Sequence, residues 1–255
     1  MDMPRNAFKQ ALLAGQQQIG LWCTLSSAYV IDVVADAGFD WLLIDTEHSP
    51  ADVPQVLGQL QALSGHAPAA VVRPASNDPV LIKRLLDLGV QTLLIPCIQS
   101  AEEARAAVSA VRYPPRGIRG ISALTRATHF GRVKDYPTKA DAEICLLLQI
   151  ETQAGLDVLE EIAAVDGVDG LFIGPGDLAA SFGHIGKLNH PEVIAAVEDA
   201  IARSVAAGRP VGILTGDAAF ADRCITLGTC LTAVGVDAGL LARAADALAA
   251  HFKSA

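Results

Sequence analysis

Short apolar runs recur along this 255-residue chain, and their number and spacing constrain the fold more than any other feature. The runs are rich in Val, Ile and Leu and do not alternate polar with apolar residues, as half-exposed strands do. We therefore interpret them as strands buried on both faces, which is typical of parallel sheets in α/β proteins. There are eight, at residues 19–25, 41–45, 69–74, 92–96, 144–151, 170–175, 210–216 and 231–236.

The segments between these runs carry helix start and stop signals. Asp78 precedes Pro79 at a first helical position, and the helix that follows is predicted to end at Gly89. Ser100 and Glu103 have the spacing of a capping box. The predicted helices are long enough for right-handed crossovers between parallel strands.

Eight strands with intervening helices predict a (β/α)8 TIM barrel that closes with a helix at 239–252. An open doubly wound sheet is the alternative, but no GxGxxG motif follows the first strand. No linker-like stretch divides the chain, so residues 1–255 are predicted to form one domain. The long segment 112–132 is predicted to be a loop near the barrel mouth that could cover an active site.

Composition excludes several classes of partner. The chain has 28 acidic and 19 basic residues, a net charge of -9, which disfavours nucleic acid as a partner. No run approaches the length of a membrane span, and the first residues lack the features of a signal peptide. The cysteines form no CxxC pair, so we expect reduced thiols and a cytoplasmic location.

Polar residues follow the predicted strands at their carboxyl ends, where TIM barrels place their active sites. Residues that are far apart in sequence are therefore expected to meet around one mouth. They are Asp45, Glu47 and His48 after the second strand, Arg73 on the third, Gln149 and Glu151 on the fifth, and Asp177 after the sixth.

Glu151 and Asp177 follow consecutive strands, so their carboxylates are candidates to share one divalent cation. Mg²⁺ and Mn²⁺ need few protein carboxylates and take their other ligands from water and substrate. Acidic residues are also common at helix starts, and spacing alone leaves helix capping equally open.

Arg73 and His48 each have a catalytic and a structural interpretation. The planar guanidinium of Arg73 suits a substrate carboxylate or an oxyanion, but an ion pair at the barrel rim is an equal alternative. The imidazole of His48 suits proton transfer near neutral pH, although a loop histidine is more often simply solvated.

Two other kinds of catalysis lack the residues that they require. None of the lysines lies in a predicted strand, which disfavours Schiff-base chemistry. No two histidines have HxH or HxxxH spacing, which disfavours a zinc hydrolase.

A series of motifs resembles the HpcH/HpaI family of metal-dependent (class II) pyruvate aldolases over nearly the whole chain. The motifs, in order, include GLWCTLSSAY, GFDWLLIDTEHSP, VVRPASNDP, LIPCIQSAEEA, RYPPRGIRG, LLQIET, VDGLFIGPGDLAAS and AVGVDAGLLARAADAL. The resemblance implies an aldehyde-lyase that reversibly cleaves 4-hydroxy-2-oxo acids to pyruvate and an aldehyde. Its expected substrate is 4-hydroxy-2-oxoheptanedioate, an intermediate of aromatic catabolism, which yields succinate semialdehyde.

The resemblance also implies a cofactor and its ligands. Glu151 and Asp177 match the residues that bind a divalent ion, Mg²⁺, Mn²⁺ or Co²⁺, and no organic cofactor is expected. Arg73 matches the arginine beside the pyruvyl oxygens, where it and the metal stabilise a pyruvate enolate. Asp177 is expected to contact the substrate as well.

Further site residues follow from the same resemblance. His48 matches the histidine of the catalytic base system, and Asp87 matches an acidic partner that reaches it from a neighbouring subunit. Asp45 supports this system, while Gln149 and Gly176 line the substrate pocket. Gly176 stands where the family often has Ala, and we expect this change to affect only local backbone freedom.

The family commonly forms homo-hexamers, trimers of dimers, with the C-terminal helix exchanged between subunits. The loop at 121–131 differs from relatives, which bears on the aldehyde that is accepted. Alternatives on the same site are a 2-keto-3-deoxy sugar-acid aldolase and an acyl-CoA lyase. An alternative of another class is a non-catalytic barrel that binds 2-oxo acids.

Overall fold

The computed structural model describes residues 1–253, and its eight strands close into a parallel barrel in chain order, with β8 paired to β1. The predicted single-domain TIM barrel is confirmed. The strands are β1 (Gln18–Cys23), β2 (Trp41–Asp45), β3 (Ala69–Arg73), β4 (Thr92–Ile95), β5 (Cys145–Ile150), β6 (Gly170–Ile173), β7 (Val211–Leu214) and β8 (Leu231–Val236).

Helices surround the barrel, and none within residues 1–253 has the length and apolar character that crossing a membrane requires. The helices are α1 (Ala7–Leu13), α2 (Ala28–Val34), α3 (Val53–Ala62), α4 (Pro79–Asp87), α5 (Ala101–Val111), α6 (Tyr136–Glu143), α7 (Gln153–Asp157), α8 (Leu159–Ala163), α9 (Pro175–Ser181), α10 (Pro191–Ala206), α11 (Ala218–Leu227) and α12 (Asp237–Lys253).

The helix signals are largely confirmed. The Asp78 side chain accepts hydrogen bonds from two amides of the first turn of α4, and Gly89 follows that helix with φ +91°. The Ser100 hydroxyl accepts from the Glu103 amide at 3.1 Å. The capping box differs in its second bond, because the Glu103 carboxylate accepts from the Gln99 amide instead of the Ser100 amide.

The amino end of the barrel is closed by apolar side chains. Phe8 and Leu12 of α1 are buried beneath the strands, and the Phe8 ring meets Trp41 edge-on at 6.1 Å. Trp41 fits inside because residue 20 is glycine: a Cβ there would lie 2.1 Å from the indole. The carboxyl end is left as the mouth of the barrel.

The loop at 112–132 lies at the amino end, so the prediction that it is near the mouth of its own barrel is wrong. The Ala127 amide donates to the Asp87 carbonyl at 3.1 Å, and Arg126 donates to the Leu88 carbonyl at 2.6 Å. Both acceptors directly precede β4, at the end opposite the mouth. Helix α5 returns the chain to that end, and the loop remains there.

Within the described residues, helix α12 packs against the barrel mainly through its first turns. Asp237 is buried and accepts from the Thr24 and Leu25 amides, but residues 240–253 are exposed. Apolar side chains, including Leu248 and Phe252, are exposed along this helix, whereas a surface helix usually turns its apolar face toward the core. The predicted exchange of this helix between subunits is considered below as a proposal.

Candidate active site

A cavity of about 670 Å³ opens at the carboxyl ends of the strands. Its walls come from β1, β3 and β5 to β8, and from the segments that follow β2 and β5 to β8. Most of the residues predicted for the site line it together: His48, Arg73, Gln149, Glu151, Gly176 and Asp177.

Glu151 lies at the base of the cavity and is 3% exposed. One carboxylate oxygen accepts from the Cys97 amide at 2.7 Å, and the other accepts from the Gln149 side-chain amide. The cap of α7 is the neighbouring Thr152, whose hydroxyl accepts from the Gly155 amide. Glu151 therefore does not cap a helix.

The pKa of Glu151 is raised to about 7. Burial is the main cause, the Cys97 hydrogen bond opposes it, and the charges of Glu47 and Asp177 add to it. A buried carboxylate beside other carboxylates is electrostatically unfavourable without a nearby positive charge.

Asp177 lies in the first turn of α9, on the wall of the same cavity. Within residues 1–253 its carboxylate forms no hydrogen bond or ion pair, and the N-cap of α9 is Gly174, which has no side chain to accept one. Asp177 therefore makes no capping hydrogen bond, although its first-turn position is one that the helix dipole favours for an acidic side chain.

Gly174 makes room for the Glu151 carboxylate. A Cβ at Gly174 would lie 2.7 Å from Glu151 Oε2 and 3.0 Å from the Gln149 amide nitrogen. A Cβ at Gly176 would meet nothing within 4 Å, in agreement with the expectation that Ala is tolerated there. The sequence pattern did not distinguish these two glycines.

The residues at this end of the cavity fit a hard divalent cation. Glu151 and Asp177 offer carboxylate oxygens, Asp177 without a partner among the described residues, and the buried Gln149 Oε1 also lacks a hydrogen-bond partner there. Oxygen donors with room for water and substrate suit Mg²⁺ or Mn²⁺. A bound cation would also offset the negative charge that raises the pKa of Glu151.

Arg73, at the end of β3, is held by two carboxylates. Its Nε and Nη2 donate to Asp45 at 2.8 and 2.7 Å, and its Nη1 lies 2.7 Å from Glu47 Oε2. The guanidinium carbon lies 4.9 Å from the centre of the Trp22 ring. The alternative of an ion pair is therefore realised, and Arg73 still lines the cavity.

The pKa values of the two acidic partners of Arg73 are shifted in opposite directions. Burial works to raise the pKa of Asp45, but the hydrogen bonds and charge of Arg73 outweigh it and lower that pKa. Burial raises the pKa of Glu47 although the Arg73 charge opposes this, and the Glu47 contact lacks hydrogen-bond geometry. Sequence reasoning gave Glu47 no role and missed Trp22.

His48 is exposed at the cavity wall, and its side chain forms no hydrogen bond or ion pair with another residue within 1–253. Asp87 ends α4 at the amino end of the barrel, where its nearest ion-pair partner is Arg119 at 3.7 Å. Burial raises the pKa of Asp87, opposed by Arg119. Asp87 does not reach the His48 of its own chain.

A family model described as HpcH/HpaI aldolase/citrate lyase matches residues 18–244. The chain belongs to this family. It is 65% identical to a pyruvate aldolase of Rhizobium etli, over 99% of both chains. It is 57% identical to a 4-hydroxy-2-oxo-heptane-1,7-dioate aldolase of Klebsiella pneumoniae, over 97% of this chain and 94% of the relative.

The fold of the family is also seen in solved structures. A crystal structure of a family protein from Burkholderia cenocepacia has a TM-score of 0.93 and 40% identity, over 97% of this chain and 99% of that one. Family membership makes this chain an enzyme of the aldolase and lyase type.

Proposed function

We propose that this enzyme is a divalent-metal-dependent, class II pyruvate aldolase that reversibly cleaves 4-hydroxy-2-oxo acids to pyruvate and an aldehyde. The observation that carries the proposal is the presence, in one cavity, of two carboxylates suited to a divalent cation, Glu151 and Asp177, together with the rigidly held Arg73. No lysine is among the cavity-lining residues of the described chain, so an imine route has no amine.

Arg73 binds the 2-oxo group and stabilises the charge that develops there. Two of its five N–H groups are directed to Asp45, which leaves donors for a substrate oxygen. Because the guanidinium is fixed by two carboxylates and the Trp22 ring, little reorganisation is needed when the oxygen becomes negative.

His48 accepts the 4-hydroxyl proton as the C3–C4 bond breaks. The bond's electron pair passes to C3 of the three-carbon fragment, the enolate of pyruvate, and the C4 carbonyl of the aldehyde forms. The proton is then delivered to C3, which completes pyruvate. Glu151 and Asp177 would hold the divalent ion, which would supply Lewis-acid stabilisation at the oxygens of the 2-oxo acid.

The aldehyde end of the substrate is best matched by a short apolar chain with a terminal carboxylate, as in succinate semialdehyde. Phe172, Leu214 and Val236 give the cavity an apolar wall. Arg243 of α12 also lines the cavity and forms no ion pair within residues 1–253, so it offers a charge for a distal carboxylate. Sugar acids would need hydroxyl partners along this apolar wall.

The enzyme assembles as a homo-hexamer, a trimer of dimers with α12 exchanged between subunits. Two features support this assembly: the apolar side chains exposed along α12, and the separation of Asp87 from the His48 that it is expected to orient. In the assembly, Asp87 of one subunit approaches His48 of another. Light scattering that gives the mass of one chain would contradict this part of the proposal.

The proposed cellular setting is the cytoplasm. All the cysteines are free thiols, as expected in the cytoplasm, where an aldolase of aromatic catabolism would act. Growth of a deletion strain on aromatic acids tests this role.

Proton exchange tests the reaction class without knowledge of the aldehyde. The protein is incubated with pyruvate in D₂O, with and without Mg²⁺ or Mn²⁺, and the methyl signal is followed by NMR. We expect exchange that requires the metal and is lost in Glu151→Gln. Exchange that survives thorough metal removal contradicts the mechanism, and pyruvate binding without exchange indicates a non-catalytic barrel.

A further inference from the structure

The segment between α9 and α10 brings together two histidines and a glutamate outside the cavity. The rings of His184 and His190 stack with their centroids 3.5 Å apart and 21° between their planes. His184 Nε2 lies 2.7 Å from Glu192 Oε2. One nitrogen of each histidine and one oxygen of the glutamate all lie within 4.8 Å of one another.

The local backbone explains why residues six positions apart meet. Gly183 and Gly186 have φ of +78° and +73°, conformations in which glycine is favoured, and they turn the chain back on itself. His190 then caps α10, with Pro191 at its first position. The cluster is built by a loop, so the helical spacings used to search for zinc sites do not detect it.

The chemistry of this cluster differs from that of the cavity. Two imidazoles and one carboxylate suit Zn²⁺, Ni²⁺, Co²⁺ or Cu²⁺, whereas Mg²⁺ prefers oxygen ligands alone. Three protein ligands also leave a position for water, as in open zinc sites.

A hydrated ion has access to the cluster. Glu192 is exposed and both histidines are partly exposed. Residues 186–191 line an open depression of about 600 Å³ beside them. Because the two imidazole rings are not enclosed, rotation about χ2 can turn a nitrogen of each ring toward a common ion. Coordination of the ion then replaces the hydrogen bond between His184 and Glu192.

We propose that His184, His190 and Glu192 form a second metal site, selective for Zn²⁺ and similar transition metals and separate from the Glu151 and Asp177 pair. The proposed site is connected to the cavity through the residues between the two histidines. Leu188 and Asn189 lie between the two histidines in the chain and line the cavity wall. An ion that fixes both histidines therefore restrains this part of the wall.

Binding is tested in the double variant Glu151→Gln/Asp177→Asn, which removes the cavity carboxylates from the measurement. Zn²⁺ is titrated by calorimetry, and Co²⁺ by its visible absorption. We expect one equivalent per chain to bind, with affinity reduced more than about tenfold by either His184→Ala or His190→Ala, since even outer-sphere changes cost this much. His251→Ala, at an exposed helical histidine outside the cluster, should leave affinity unchanged.

Two results would overturn the proposal. One is no binding of Zn²⁺ up to about 100 µM, and the other is binding that His184→Ala and His190→Ala together do not alter. If the double variant is unfolded by circular dichroism, the same titrations are made on the wild-type chain in excess Mg²⁺, with the same two criteria. The result does not depend on aldolase activity.

Discussion

The cavity holds two clusters of charged side chains that differ in their balance of charge. In the first cluster, Arg73 is bonded to Asp45 and contacts Glu47, so opposite charges meet within the protein. In the second cluster, Glu151 and Asp177 line the cavity with no cationic partner among residues 1–253. The first cluster contains its own counter-charge, whereas the proposed divalent cation would supply that of the second. We expect mutations in the two clusters to separate catalysis from metal binding.

Arg73→Ala should have the largest effect. Loss of the fixed donor is expected to reduce turnover by about 10² to 10³, the range found for single oxyanion-stabilising groups. Metal affinity should change far less, since Arg73 contacts neither Glu151 nor Asp177. Steady-state kinetics and calorimetric titration of Mn²⁺ measure the two effects, and equal losses in both would remove the distinction between the two clusters.

A control is needed because Arg73→Ala leaves Asp45 buried without its partner, at a cost of about 3 to 5 kcal/mol in the free energy of unfolding. Arg73→Lys keeps a positive charge but not the paired donors. It should retain more stability than Arg73→Ala while remaining catalytically impaired. Thermal unfolding of both variants separates instability from lost chemistry.

Gly174→Ala should weaken metal binding by about tenfold or more, because its Cβ would displace the Glu151 carboxylate. The φ of Gly174 is -101°, which Ala adopts without strain, so the effect is steric. Gly176→Ala is the matched control, with open space around its Cβ. Similar Mn²⁺ affinities for the two variants would mean that Glu151 is not positioned by Gly174.

Metal affinity should depend on pH through Glu151. Its pKa is raised to about 7, so below that pH a proton competes with the cation for the carboxylate. Apparent affinity should fall by up to about tenfold per pH unit as the pH decreases below 7 and level off above it. Mn²⁺ titrations between about pH 5.5 and about pH 8 measure how steeply the affinity changes with pH. A slope that persists in Glu151→Gln would assign the proton to another group.

Arg243→Ala should have the smallest effect and a selective one. We expect kcat/KM for succinate semialdehyde to fall about tenfold, the value of one charge-assisted contact, while that for uncharged butanal stays the same. Condensation of each aldehyde with pyruvate is measured for wild type, Arg243→Ala and Arg243→Lys. Equal losses for both aldehydes would show that Arg243 does not select for charge.

Much of the fold could be predicted because it depends on periodic signals. The buried strands appear as continuous apolar runs, and the polar residues that end them must meet once the barrel closes. The strand ends predict that Arg73, Glu151 and Asp177 lie around one mouth, and all three line the same cavity. Their convergence depends only on strand order, which the runs themselves define.

The features that escaped prediction depend on contacts between segments. The contact of Glu47 with Arg73, the room that Gly174 leaves for Glu151, and the meeting of His184 with His190 each depend on side-chain direction or loop path. The position of the loop at 112–132 also escapes prediction, because its length does not indicate to which end of the barrel α5 returns the chain.

The closed amino end of the barrel also affects the order of events in the proposed reaction. With Phe8 and Trp41 filling that end, reactants enter and products leave through one opening. In the proposed reaction, a 2-oxo acid bound by the buried Arg73 and Glu151 would lie deeper than the aldehyde, which would face the exposed Arg243. In synthesis, pyruvate would then bind before the aldehyde, and in cleavage the aldehyde would leave first. The kinetic mechanism is thus expected to be ordered, and this order follows from packing at the far end of the molecule.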